Sequence, residues 1–207
     1  MSHYRRLVVP GGTYFFTARL QDRGSRLLID RVDLLRAAVR LAQKQWPFSI
    51  EVAVVLPDHL HMIWTLPDTD ADFSKRWRLI KSTFSRHVDG PVEVSPSKAR
   101  RGEKGIWQRR FWEHLIRDEV DFEAHRAFAL TAPVQAGLVA RPQDWALSSV
   151  HRDLRRGGAL PAMSGYGPIV SPWAGQSKVG PDPHRGSVFP LDGGLKPTLP
   201  LRRSPNG

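Results

Sequence analysis

Between Ile50 and Trp64 apolar residues recur at every second position on either side of Pro57-Asp58. Ile50, Val52, Val54 and Leu56 fall on one face of a strand. The Pro-Asp pair then makes a tight turn into a second strand, His59-Leu60-His61-Met62-Ile63-Trp64. This hairpin commits the chain to a sheet with at least one antiparallel pair. Successive strand residues point to opposite faces, so His59 and His61 share a face while Leu60 and Met62 turn to the other. At a rise of roughly 3.3 Å per residue their Cα atoms lie about 6–7 Å apart, close enough for both imidazoles to close on one metal ion. A pair of hydrogen-bonded sheet histidines satisfies the same spacing.

The flanking segments supply the remaining elements. Thr13 to Leu20, after Gly11-Gly12, alternates as a strand with Tyr14, Phe16, Ala18 and Leu20 on one face. Asp30 is placed to cap a helix with apolar positions Leu34, Leu35, Ala38, Val39, Leu41 and Ala42, ending near Trp46-Pro47. Asp72 is placed to cap another, in which Phe73, Trp77, Ile80, Phe84 and Val88 recur at helical spacing. Lys75, Arg76, Arg78, Lys81 and Arg86 are left on its more exposed faces. A polar loop covers residues 89–105, and Phe111 to Arg117 reads as a fourth strand. A last helix runs from about Val120 to Thr131 with Val120, Ala124, Ala127, Phe128 and Thr131 along one stripe, ended by Pro133 and Gly137. The order β-α-β-β-α-β-α predicts an α+β fold. It is the ferredoxin-like split βαβ arrangement, with an antiparallel sheet, central first and third strands, and an extra C-terminal helix.

Residues 1–156 read as one domain. From Gly157 the character changes, with 10 Gly and 9 Pro in the last 51 residues and no sustained periodicity. A segment that buries so little apolar surface does not offset its ordering entropy, so residues 157–207 are expected to form a disordered tail. The chain carries 31 Lys+Arg against 20 Asp+Glu, a formal net charge of +11. That excess favours polyanions, nucleic acid first among them. With no cysteine, disulfides and thiolate metal sites are excluded. No apolar run reaches the roughly 20 residues of a membrane span, and Met1 to Arg6 lacks a signal-peptide core, so a cytoplasmic location is expected.

Several blocks together resemble the REP-associated tyrosine transposases, single-strand DNA transposases of the HUH superfamily. These blocks are Tyr4-Arg5-Arg6, Gly11 to Phe16, Val55 to His61, Ile63 to Pro67, Phe73 to Lys81, Trp107 to His114, and Asp144-Trp145 with Ser148 to Arg152. They cover about residues 3–156 in matching order. The resemblance implies that His59 and His61, with a third polar ligand, hold Mg²⁺ or Mn²⁺ as a Lewis acid on a scissile phosphate. It implies a tyrosine nucleophile on the last helix, with the third ligand four residues later on the same helix face. It also implies a single-stranded or hairpin DNA substrate from short palindromic repeats, and it allows a homodimer with composite sites.

Carried over, the nucleophile position falls on Phe128 and the third-ligand position on Ala132. Phenylalanine has no oxygen to attack with, and alanine has no donor for a hard cation. The other tyrosines are Tyr4, Tyr14 and Tyr166, none at a spacing that argues for rescue. Glu113 and His114, on the neighbouring strand, are the nearest candidates to supplement the histidines. The DNA contacts expected are Tyr4, Arg5 and Arg6 in an N-terminal arm, Lys75, Arg76, Arg78 and Lys81 on the second long helix, and Arg109 and Arg110 beside Trp107. A frayed terminus and solvated helix faces account for the same residues. Trp77, Phe84, Phe111 and Trp112 read as core rather than stacking platforms. Two readings follow: a transposase whose nicking is in doubt, and a non-catalytic DNA-binding protein. An RNA-recognition module fits less well, because its glycine-aromatic signature is not evident on the central strands.

Overall fold

The computed structural model describes residues 8–88 and 105–160. Tyr4, Arg5, Arg6 and Tyr166 lie outside them, as do most of the expected polar loop and all but the first residues of the expected tail.

Four strands form one sheet: β1 (Thr13–Arg19), β2 (Ser49–Val55), β3 (His59–Thr65) and β4 (Trp112–Leu115). Their order is β2-β3-β1-β4, and every neighbouring pair is antiparallel. This is the split βαβ order, with β1 and β3 central as expected. β4 is shorter than Phe111 to Arg117 because only Trp112 to Leu115 pair residue for residue with β1, Ile116 N adding a single bond to Thr13 O at 2.8 Å. Gly11 enters β1 with a φ of 69° and donates its N–H to Pro67 O at 3.0 Å, a conformation that favours glycine.

The two sheet faces are covered differently. Helices α2 (Val32–Gln45) and α3 (Phe73–Arg86) pack on the face presenting Tyr14, Phe16 and Trp64. There Trp64 and Trp77 stack at 4.6 Å, and Phe16 lies 4.7 Å from Trp64 and 5.4 Å from Phe73. The opposite face presents Phe15, Thr17 and His61, and α4 (Glu119–Gln135) covers it through Phe128 and His125. β1 is therefore buried along its whole length.

Several helix boundaries depart from the sequence expectation. Asp30 does not cap α2. It ends a separate turn, α1 (Leu27–Asp30), which starts early because Ser25 Oγ accepts from Leu27 N at 3.2 Å and the core takes up Leu28 and Ile29. Arg31 then links α1 to α2 without a side-chain cap. Leu41, expected on the buried stripe, is exposed. Asp72 does cap α3, accepting from Lys75 N at 2.9 Å. Pro133 does not end α4, because its missing N–H falls in the last turn. The stop comes at Gly137, with φ 69°, where Gly137 N donates to Val134 O and Leu138 N to Pro133 O, each at 2.9 Å. Val120 is 77% exposed rather than on the buried stripe.

A short helix that the periodicity did not reveal, α5 (Val150–Arg155), follows a turn of 3₁₀ helix at Pro142–Asp144. The segment between them closes the outer edge of β2. Val55 N donates to Leu147 O at 2.9 Å, Ser149 N to Ala53 O at 2.8 Å, and Trp145 Nε1 to Val55 O at 2.8 Å. Arg152 adds bonds to Ile50 O and Glu51 O. Among the described residues no helix is long and apolar enough to cross a membrane.

Candidate functional site

The strand register sets the geometry of the histidine pair. Thr17 lies opposite His61 and Arg19 opposite His59, so all four side chains share the face covered by α4. The imidazoles sit 5.0 Å apart at 81° to one another, and both residues are buried. Each is oriented through Nδ1: His59 by Asp58 Oδ1 at 2.5 Å, His61 by Thr17 Oγ1 at 2.9 Å. A donor Nδ1–H fixes the tautomer in which Nε2 carries the free lone pair, which is how ligating histidines are held.

Charge supports the same assignment. Burial lowers the pKa of both rings, most for His61, where the neighbouring His59 and Arg19 charges add to it; for His59 the Asp58 carboxylate partly opposes it. Neutral imidazoles at neutral pH are the form that binds metal. Asp58 is fully buried, and burial would raise its pKa, yet its bond to His59 and the Arg19 and Arg23 charges hold it below the ordinary carboxylate value. Arg19 is pushed down to about 10, chiefly by burial.

From the helix, Phe128 brings a phenyl ring 5.2 Å from the His61 ring, edge to face, and 5.9 Å from Phe15. Ala132, one turn on, is buried and contributes a methyl group. The donor chemistry thus fits a divalent ion on the sheet side and fails on the helix side, where neither position offers an oxygen. Tyr14 does not compensate: it is fully buried on the opposite sheet face, and its hydroxyl accepts from Val9 N at 2.7 Å. Phe128 packs against His61 of its own chain.

The two supplementary candidates separate. Glu113 pairs with Phe16 and so belongs to the face opposite the histidines. His114 pairs with Phe15 and is on the correct face, but it engages a different group. Its Nε2 contacts Asp121 Oδ2 at 2.9 Å, and His125 Nδ1 lies 3.0 Å from Asp121 Oδ1. The two rings stack at 4.3 Å and 15°. Asp121 also accepts from Arg117 N at 3.0 Å; these bonds overcome its burial and hold its pKa at about 2. Asp121 and His125 were not singled out in the sequence, although their i, i+4 spacing on a helix was a readable signal.

The expected basic face of α3 lies on the far side of the sheet from the histidines. Arg76, expected at the surface, is fully buried and holds the end of α2, donating to Trp46 O at 3.2 Å, Pro47 O at 2.7 Å and Asp72 O at 2.9 Å. Lys75 and Arg76 both pair with Asp70, at 2.7 and 3.0 Å. Lys81 donates to Gln108 O at 2.9 Å and lies over the rings of Trp107 and Phe111. Trp107 itself is buried against Phe84, so it is core and not a stacking platform. Arg78, Arg109 and Arg110 are exposed.

The chain is 44% identical over 157 residues to the REP-associated tyrosine transposase of Escherichia coli (strain K12), which spans 76% of this chain and 87% of that protein. It is 39% identical over 156 residues to a Haemophilus influenzae (strain ATCC 51907 / DSM 11121 / KW20 / Rd) protein of the same family name, spanning 75% and 89%. A solved structure of a REP-associated tyrosine transposase bound to a REP hairpin matches with a TM-score of 0.65 and 41% identity, over 83% of this chain and all of that one. No protein-family model matches the chain.

Proposed function

The chain belongs to the REP-associated tyrosine transposases, and from that premise we propose that it binds hairpin or single-stranded DNA of palindromic repeats without cutting it. The binding half draws on the family, on the relative solved with a REP hairpin, and on the net charge of +11. The observation that carries the other half is the phenyl ring of Phe128 against His61, where a tyrosine hydroxyl would be needed. His59 and His61 are the residues that would hold Mg²⁺ or Mn²⁺, which would polarise a phosphate oxygen. Because Phe128 and Ala132 give neither an attacking group nor an oxygen ligand from α4, this chain is not expected to carry out strand transfer.

Arg109 and Arg110, exposed just before β4, are the favoured phosphate contacts, with Arg78 second because α3 covers the other sheet face. Arg76 is buried and serves the fold instead, while Lys75 and Lys81, already engaged by Asp70 and by Gln108 O, rank below the exposed arginines. Binding weakens with salt, with a slope of about −0.7 per neutralised phosphate on a single strand. The test incubates the protein with a hairpin oligonucleotide and Mn²⁺ and resolves the products on a denaturing gel. The expected result is retarded DNA on a native gel and no protein–DNA adduct on the denaturing one. A covalent adduct overturns the proposal, and so does an absence of binding at low salt.

A further inference from the structure

Where β4 meets α4, three potential metal donors converge outside the histidine pair of β3. His114 Nε2, the Asp121 carboxylate and His125 Nδ1 all lie within 4.8 Å of one another. We propose that these three side chains bind one first-row divalent cation, Zn²⁺ foremost, at a site separate from His59 and His61.

The donor set is chemically apt. Two imidazoles and one carboxylate suit Zn²⁺ and its neighbours in the transition series, with a fourth position left for water. The contacts of 2.9 Å and 3.0 Å from Asp121 to His114 and His125 are close to the spacing of ligands around an ion bonded at roughly 2.0–2.2 Å. The cluster is also built rather than incidental. Trp112 lies nearly parallel to both imidazoles at 6.1 and 6.3 Å, and Phe15 packs on His125 at 5.0 Å. Asp121 and His125 are buried while the His114 side chain is 28% exposed, which leaves an entry path. The Phe15 ring touches both His61 and His125, so it separates the two sites.

Two competitors have to yield. The first is the hydrogen shared between each imidazole and Asp121, together with the bond between His125 Nδ1 and Asp121 O at 2.8 Å. Moving that hydrogen to the other ring nitrogen frees the ligating lone pair, so a neutral ring loses no net proton. The second is the Arg117 guanidinium, 3.2 Å from Asp121 Oδ2 but 73% exposed and able to swing into solvent. A bound ion would tie β4 to the helix that carries Phe128.

The experiment titrates the chelator-stripped full chain with Co²⁺, following its d–d absorption, and then displaces Co²⁺ with Zn²⁺. His59→Ala/His61→Ala should keep the tetrahedral Co²⁺ band. His114→Ala, at a partly exposed position, should weaken that band's midpoint by more than the roughly 10–100-fold typical of changes to groups that only support ligands. Arg117→Ala should tighten it. A band unchanged in His114→Ala, a band lost only in the β3 double variant, or no Co²⁺ uptake at all would overturn the proposal. His114→Ala in the otherwise unaltered chain gives the decisive readout should the double variant not fold.

Discussion

The two faces of the sheet do different work with the same strands. On the side of α2 and α3, Tyr14, Phe16, Trp64, Phe73 and Trp77 build a continuous aromatic layer, and the nearby charge of Arg76 is consumed by backbone carbonyls and Asp70. On the side of α4, Thr17, Arg19, His59, His61 and His125 are buried among Phe15 and Phe128. The first face holds the domain together; the second holds polar groups that burial makes costly unless each has a partner. The histidines get theirs from Asp58, in the turn before β3, and from Thr17 on β1, so neither ring relies on a hydrogen bond from Phe128 or Ala132. On the reading proposed above, the helix half of such a site can be absent while the sheet half stands.

The sharpest way to break this contrast is to rebuild the helix half. Phe128→Tyr with Ala132→Asn should turn an adduct-free protein into one that forms a phosphotyrosine band with hairpin DNA and Mn²⁺, with little change in thermal midpoint. If the double variant folds and binds but still gives no band, the sheet half is not the intact remnant described.

The aromatic side predicts the converse. Arg76→Met removes a buried guanidinium with three carbonyl partners and should cost about 3 kcal/mol in urea unfolding, with hairpin affinity per folded molecule unchanged. Arg109→Ala/Arg110→Ala should do the opposite, lowering affinity and flattening the salt dependence while leaving stability alone.

Asp121 offers a smaller, pH-dependent test on the α4 side. Its pKa is about 2 in the folded chain against an ordinary 3.8, so it is a depressed carboxylate. Its contribution is present above about pH 4 and is lost as pH falls through about 2, amounting to about 2 kcal/mol at neutral pH. Asp121→Asn should lower stability by that order at pH 7 and narrow the gap from the parent protein in acid, measured as urea midpoints across pH. Smallest of all, Thr17→Val takes away the hydrogen-bond partner of His61 and should cost about 1 kcal/mol by the same assay.

Much of the frame was legible because it rests on local periodicity. The Ile50–Trp64 hairpin, the capped α3 and the shared face of His59 and His61 follow from spacing and turn chemistry alone. What escaped depends on partners far along the chain. Arg76 looked like a surface charge because its acceptors, Trp46 O and Pro47 O, belong to another helix end. Glu113 and His114 looked interchangeable because their faces are decided by which residues of β1 they meet. Asp30 had the right type for a cap but lost the position to an earlier turn begun at Ser25. The edge-closing role of Trp145 and Arg152 has no periodic signature, since it consists of bonds to the backbone of β2.

The edge-to-face contact between Phe128 and His61 has an evolutionary reading as well. Phenylalanine and tyrosine codons differ by a single base, and the ring that would carry the hydroxyl already sits in its berth. Alanine to asparagine needs at least two base changes. On the reading proposed above, the single-base neighbour Phe128→Tyr would therefore gain an attacking hydroxyl while Ala132 still left the ligand set incomplete.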